Sequence, residues 1–128
     1  MRAPWLVFAA LAFLATHSEG VPARDSPQSI VKLCMSVQGL LDESPAMALC
    51  SGYIGGFIDG QSTAFAVSNG SPKLDEIERA RGYCLRPTVS NGQLVLVFKQ
   101  YLSNHPEKLD QWAAQLLYDA LHQNFPCK

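Results

Sequence analysis

Apolar residues recur along this chain mostly at helical spacing. Between residues 27 and 41 they fall at Ile30, Leu33, Cys34, Val37 and Leu41, the pattern of a helix with one buried stripe. Ser26-Pro27 supplies a start, with Ser26 as N-cap and Pro27 in the first turn, where its missing N–H costs nothing. After the polar turn Asp42-Glu43-Ser44 the same pair recurs as Ser44-Pro45. It opens an apolar-rich second helix, the longest, running to about Val67. Ser68-Asn69-Gly70 is a turn cluster, and Ser71-Pro72 starts a short charged helix over residues 73–81. Asp75 and Arg79 lie one turn apart in it, and Gly82 is placed as its C-terminal cap. The run Val95-Leu96-Val97-Phe98 could pass for a strand. Ser90 and Gln93 form a capping box before it, however, and Leu94, Val97, Phe98, Tyr101 and Leu102 continue at helical spacing, so a helix is expected. Asn104-His105-Pro106 breaks that helix. Asp110 is expected to cap a last one, whose inner face is Ala113, Leu116, Leu117, Ala120 and Leu121. The pattern predicts an all-α domain, a small bundle of four to five helices.

The first residues stand apart from this pattern. Arg2 precedes an uninterrupted apolar stretch over residues 5–15, followed by the polar run Thr16-His17-Ser18-Glu19-Gly20. This reads as a secretory signal peptide over residues 1–20. Small residues offer cleavage after Ser18, Gly20 or Ala23, and the cut is placed near residue 20. The apolar stretch is far short of the ~20 residues a membrane-spanning helix needs. Residues 21–29 then form a linker and helix start, and residues 30–128 the domain. About 105 residues remain after cleavage, the size of one compact core. With 10 basic and 11 acidic residues the net charge is -1, and losing Arg2 with Glu19 leaves it unchanged. That balance points to neither a nucleic acid nor a membrane surface as partner.

Export changes the meaning of the four cysteines, Cys34, Cys50, Cys84 and Cys127. An even count in a small exported chain reads as two disulfides. The first two helices share a short turn and should run antiparallel. Cys34 and Cys50 each lie about eight residues from its centre, at similar height. Cys84 precedes and Cys127 follows the two final long helices, so an antiparallel pair brings both to one end. The expected bridges are therefore Cys34–Cys50 and Cys84–Cys127.

Chemistry is sparse. After the signal only His105 and His122 remain as histidines, no zinc-type spacing or haem-attachment motif occurs, and no cofactor is implied. Cys84 with His105, or Cys127 with His122, could make a nucleophile pair on paper, but oxidation removes both thiols. Asp59 on the second helix, if buried, more simply bonds a neighbouring backbone group than performs catalysis.

Two features point to binding instead. Ala48, Gly52, Gly56, Gly60 and Ala64 form a row of small residues at four-residue spacing on the second helix, with Gly55 beside it. Each interior glycine costs about 1 kcal/mol relative to alanine, so close approach of another helix should offset it. Packing of Gly52, Gly56 and Gly60 against a helix of the same chain is the simpler expectation, and a partner groove the other. Val95 and Leu96 widen the apolar surface of the helix after Ser90 beyond one stripe, which favours a dimer or partner interface there.

Several fragments occur in an order that resembles a known family. They are Leu33-Cys34, then Cys50-Ser51-Gly52-Tyr53-Ile54-Gly55-Gly56 with Asp59-Gly60, then Cys84-Leu85-Arg86-Pro87, then Tyr101-Leu102-Ser103-Asn104-His105-Pro106-Glu107, and finally Phe125-Pro126-Cys127. The chain resembles the Rap/Tai family of periplasmic immunity proteins, which protect bacteria from peptidoglycan amidase toxins of type VI secretion. The resemblance implies a small helical fold, often a homodimer, that binds a cell-wall amidase toxin in the periplasm and covers its cleft. Candidate contacts are the turn with Asn104, His105 and Glu107 and the segment 68–81; its charged part, residues 71–81, departs from the family pattern, as does Gly56. A periplasmic stress or holdase-like helical protein is the rival reading, although so even a charge balance gives acid little to act on. An enzyme would need a thiol that stays free.

Overall fold

The computed structural model describes residues 27–128; the expected signal peptide and the Ser26 cap lie outside them. Five α-helices and a 3-10 turn make up the described residues, with no strand among them. They are α1 (Pro27–Ser36), α2 (Pro45–Asn69), α3 (Leu74–Arg81), α4 (Asn91–Asn104) and α5 (Ala113–Asn124), with the 3-10 turn Pro106–Lys108 between the last two.

The central element is α4, which packs on α1, α2 and α5, while α3 lies on α2. Its position follows from its sequence, because Leu94, Val95, Phe98, Tyr101 and Leu102 form one continuous stripe over about a third of its circumference and all are buried. The expected capping box is present: Ser90 Oγ accepts the Gln93 N–H at 3.2 Å, and Gln93 Oε1 accepts the Ser90 N–H at 2.8 Å. Against α4 stand Val31 and Cys34 of α1, Cys50 and Ile54 of α2, and Ala113, Leu116, Leu117, Ala120 and Leu121 of α5. The inner face foreseen for the last helix is the one observed.

Both expected disulfides form. Cys34 and Cys50 are bridged with their Cα atoms 5.2 Å apart, and Cys84 and Cys127 with theirs 4.9 Å apart, within the usual range for such bonds. The second closes the tail onto the start of the α4 segment, where the Cys84 N–H also donates to the Phe125 carbonyl at 2.8 Å.

Two boundaries differ from the periodic reading. Helix α1 stops at Ser36 rather than near Leu41, because local side chains compete for its last backbone groups. Ser36 Oγ donates to the Leu33 carbonyl at 2.7 Å, and the Asp42 carboxylate accepts the N–H of Gln38 at 2.6 Å and of Ser44 at 2.8 Å. Gly39 turns the chain at φ 155°. Leu41 therefore faces solvent, 95% exposed. Helix α5 starts at Ala113, capped by the backbone of Trp112, and Asp110 is exposed and outside it. The 3-10 turn and its continuation, with Lys108 N–H to His105 O and Gln111 N–H to Lys108 O, occupy the residues in which an earlier start would lie. Helix α3 is largely as expected, with Asp75 and Arg79 paired at 2.6 Å on the surface and Gly82 at φ 82° as cap. Its last residue, Arg81, is instead buried.

The Asp42 turn has a measurable consequence. Bonds from the Ser44 side chain, then from the Gln38 and Ser44 backbone, hold its carboxyl below the ordinary carboxylate value. Such a group contributes stability that is fully present above its unfolded pKa, about 3.9, and lost as pH falls through the lower folded value. Asp42→Asn should flatten the acid limb of a thermal-melting profile below about pH 4, leaving the neutral region parallel to the wild type. An unchanged acid limb would show that the carboxylate does not hold the turn.

Candidate partner-binding surface

At its C-terminal end α4 unwinds at Asn104, since Pro106 cannot follow a helical residue. The His105 N–H still reaches the Leu102 carbonyl at 3.3 Å. This places the His105 ring on Tyr101, centroids 4.4 Å apart, with Nδ1 3.1 Å from the Glu107 carboxylate. On the other side of Tyr101, Lys108 Nζ donates to its hydroxyl at 3.1 Å, and that hydroxyl lies 3.4 Å from Asp119 Oδ2 on α5. The turn is thus tied to both helices through one buried aromatic ring. Its charges answer to these contacts: Glu107 is held below the usual carboxylate value by its own backbone N–H and by His105, and Lys108 is raised by its bond to Tyr101.

Beside the turn a cavity of about 290 Å³ opens between α4 and α5, lined by Leu96, Val97, Gln100 and Tyr101 and rimmed by Asn104, His105, Gln123 and Asn124. Three residues singled out in the sequence, Leu96, Asn104 and His105, meet here. Leu96, Val97 and Tyr101 thus lie among four carboxamides and one imidazole, a mixture of apolar and hydrogen-bonding groups of the kind found in protein interfaces. Glu107 stands exposed next to it. Among the described residues no group of three histidine, cysteine or carboxylate side chains could hold a metal, and all four cysteines are oxidised.

Val95 does not belong to this surface. It is fully buried in the core, pointing between α4 and its neighbours. On the helix Val95 lies beside Leu102 at the edge of the buried stripe, and Leu96 falls about 100° further round, so the two adjacent residues lie on opposite sides of the core boundary.

The glycine row also differs from expectation. Gly52, Gly56 and Gly60 are exposed, and a Cβ added at any of them would meet nothing within 4 Å. The expected packing against another helix of this chain does not occur, because α2 turns Cys50 and Ile54 inward and these glycines lie on its other side. Asp59 is exposed on that side too. The row ends among exposed apolar side chains, Leu49 at 59% and Val67 at 81%. A groove of about 450 Å³ lined by Ser29, Ile30, Leu33, Leu49 and Tyr53 adjoins it, and burial pushes the Tyr53 hydroxyl above its ordinary value.

Of the segment 68–81, Asp75, Glu76 and Arg79 are exposed. Arg81 is an anchor: its Nη1 donates to Ser62 Oγ at 2.9 Å, its guanidinium lies 4.8 Å from the Tyr83 ring centre, and Glu78 is 3.8 Å away. Tyr83 in turn donates to Gln61 Oε1 at 2.5 Å, fastening α3 to α2. Exposed apolar groups that the sequence reading did not foresee include Trp112, at 66%, and Leu41. Periodicity had assigned Leu41 to a helix face, and nothing in the pattern distinguished Trp112.

No curated protein and no solved structure matches the chain. The family model for Rap1a immunity proteins matches residues 26–127, which hold all four cysteines, the cavity and the glycine row. The chain belongs to the Rap1a immunity protein family.

Proposed function

We propose that this protein is a periplasmic immunity protein that binds and covers a peptidoglycan amidase toxin of type VI secretion. The observation that carries the reading is the family match across the whole described domain; the cavity that gathers Leu96, Asn104 and His105 supports it. Inhibition is by occlusion, and no residue of this chain needs to react. A stapled scaffold suits that task, since a surface already held in its bound shape loses little conformational entropy on binding. The hydrophobic stretch over residues 5–15 is read as the export signal that brings the chain to the compartment where such amidases act. No helix among the described residues is long and apolar enough to cross a membrane.

The test is capture of a peptidoglycan amidase by the mature chain, repeated with alanine at Asn104, His105 and Glu107 and, separately, at Asp75, Glu76 and Arg79. Weakened capture with the first set supports the assignment. Full inhibition with both sets replaced sinks these surfaces as the contact.

The outward face of α2 is read as a self-association surface. Its row is symmetric about Gly56, with Gly52 and Gly60 one step away and Ala48 and Ala64 two. Two copies crossing antiparallel at Gly56 would thus present the same small residues to each other, as a two-fold interface requires. Gly56→Ala should raise the stability of the single chain by about 1 kcal/mol, since no neighbour in the chain opposes the methyl. Gly56→Trp should convert a dimer to a monomer in sedimentation. A dimer indifferent to tryptophan there would move the interface elsewhere.

A further inference from the structure

The connection between α1 and α2, residues 37–44, is short, yet it is held at almost every point. The Cys34–Cys50 bridge closes its base, and Val37 at its start is fully buried. Lys99 of α4 donates to the Val37 carbonyl. The Asp42 carboxylate takes two backbone N–H groups, from Gln38 and Ser44, and the Asp42 N–H donates to the Gly39 carbonyl at 3.1 Å. Leu40 leans on the start of α4, where a Cβ at Gly92 would lie 3.5 Å from its Cδ2. A loop so fixed could have turned its leucines inward, yet Leu41 is 95% exposed and Leu40 55%. Single exposed leucines are common; one held at the tip of a stapled, charge-tied turn, next to a half-exposed second, is not accounted for by mobility.

The charges beside it narrow what it can meet. The Asp42 carboxylate is consumed inside the loop, whereas Glu43 is exposed and forms no ion pair among the described residues. The tip therefore offers an apolar knob with one free negative charge behind it.

We propose that residues 37–44 are a preformed plug that seats Leu41 in an apolar subsite of the bound protein's cleft, beside a cationic group that meets Glu43. This rests on the immunity reading above and names the chemistry of the surface the partner must present. A side chain that fills a well-packed, desolvated pocket carries a large share of an interface's binding energy, a preformed loop loses little entropy in placing it there, and a rim charge adds mainly to association rate and salt dependence.

The test uses the mature oxidised chain, its Leu41→Asp and Glu43→Lys variants, and the amidase captured by the wild type. Leu41→Asp should weaken binding about 30-fold or more, and Glu43→Lys should weaken it about 10-fold with a reduced dependence on salt. Both variants should melt like the wild type, since neither side chain is buried. Undiminished binding by Leu41→Asp, with the wild type binding, overturns the plug alone. So does a Leu41→Asp chain that binds fully but no longer self-associates, which would put Leu41 at a contact between copies. A wild type that binds no amidase overturns the functional reading and the plug with it.

Discussion

Replacing Cys84 and Cys127 together by serine should lower the stability of the domain by about 4 kcal/mol. The bridge spans 43 residues, and in the loop-entropy picture a longer loop gives a larger effect; the 16-residue span of Cys34–Cys50 should give about 3 kcal/mol. Either is a large share of the ~5–15 kcal/mol that holds a domain of this size. The longer loop also encloses α4, the 3-10 turn and α5, and hence the whole candidate cavity. Losing it frees the tail beyond α5, which is fastened by the Cys84 N–H to Phe125 bond and the disulfide itself. Urea unfolding followed by circular dichroism measures the effect. A loss under about 1 kcal/mol would mean that the helix packing alone fixes this end of the molecule.

The adjacent residues Val95 and Leu96 should respond in opposite ways to the same substitution. Val95→Asp places a carboxylate where the side chain has no exposure, among Leu94, Phe98 and the inner faces of the neighbouring helices. Desolvating that group should cost more than about 4 kcal/mol, enough to leave much of the chain unfolded. Leu96 is half-buried on the cavity floor. Leu96→Asp should cost about 1 kcal/mol in stability, keep the circular dichroism of a helical protein, and weaken partner binding. If both variants fold, Val95 is not in the core. If both unfold, the cavity floor is structural.

Much of the fold could be read from local chemistry. The capping box of Ser90 and Gln93 distinguished α4 from a strand, and the Ser44-Pro45 start and Gly82 stop fell where caps were expected. The disulfides followed from antiparallel neighbours. What could not be read was the direction a helix faces when apolar residues surround it. Val95 looks like surplus surface beside the i, i+3, i+4 stripe, yet it lies next to Leu102 on the helix and the neighbouring helices extend far enough round α4 to cover it. The glycines of α2 posed the same difficulty in reverse, because a row of small residues looks the same whether the neighbour is a helix of the same chain or something outside it. At α1 the contest was between periodicity and the side chains of Ser36 and Asp42, which took the backbone groups that five more helical residues would have used. Arg81 reads as part of a solvated face; its burial depends on Ser62 and Tyr83, which are distant or differently placed in sequence. Of the candidate surface, Leu96, Asn104 and His105 were singled out because a helix end, a proline and an apolar excess coincide there, and they line one cavity. Gln123 and Asn124 were not, since they arrive from α5 only when the bundle closes.

The most direct measurement is a titration of the paired peptidoglycan amidase with the mature, oxidised protein, following release of cleaved stem peptide. Activity should fall in proportion to the added chain and vanish near one chain per amidase, and reduction of the disulfides should abolish the effect. An amidase that keeps its full activity in excess protein would contradict an occluding immunity protein and favour a helical binding protein of another kind.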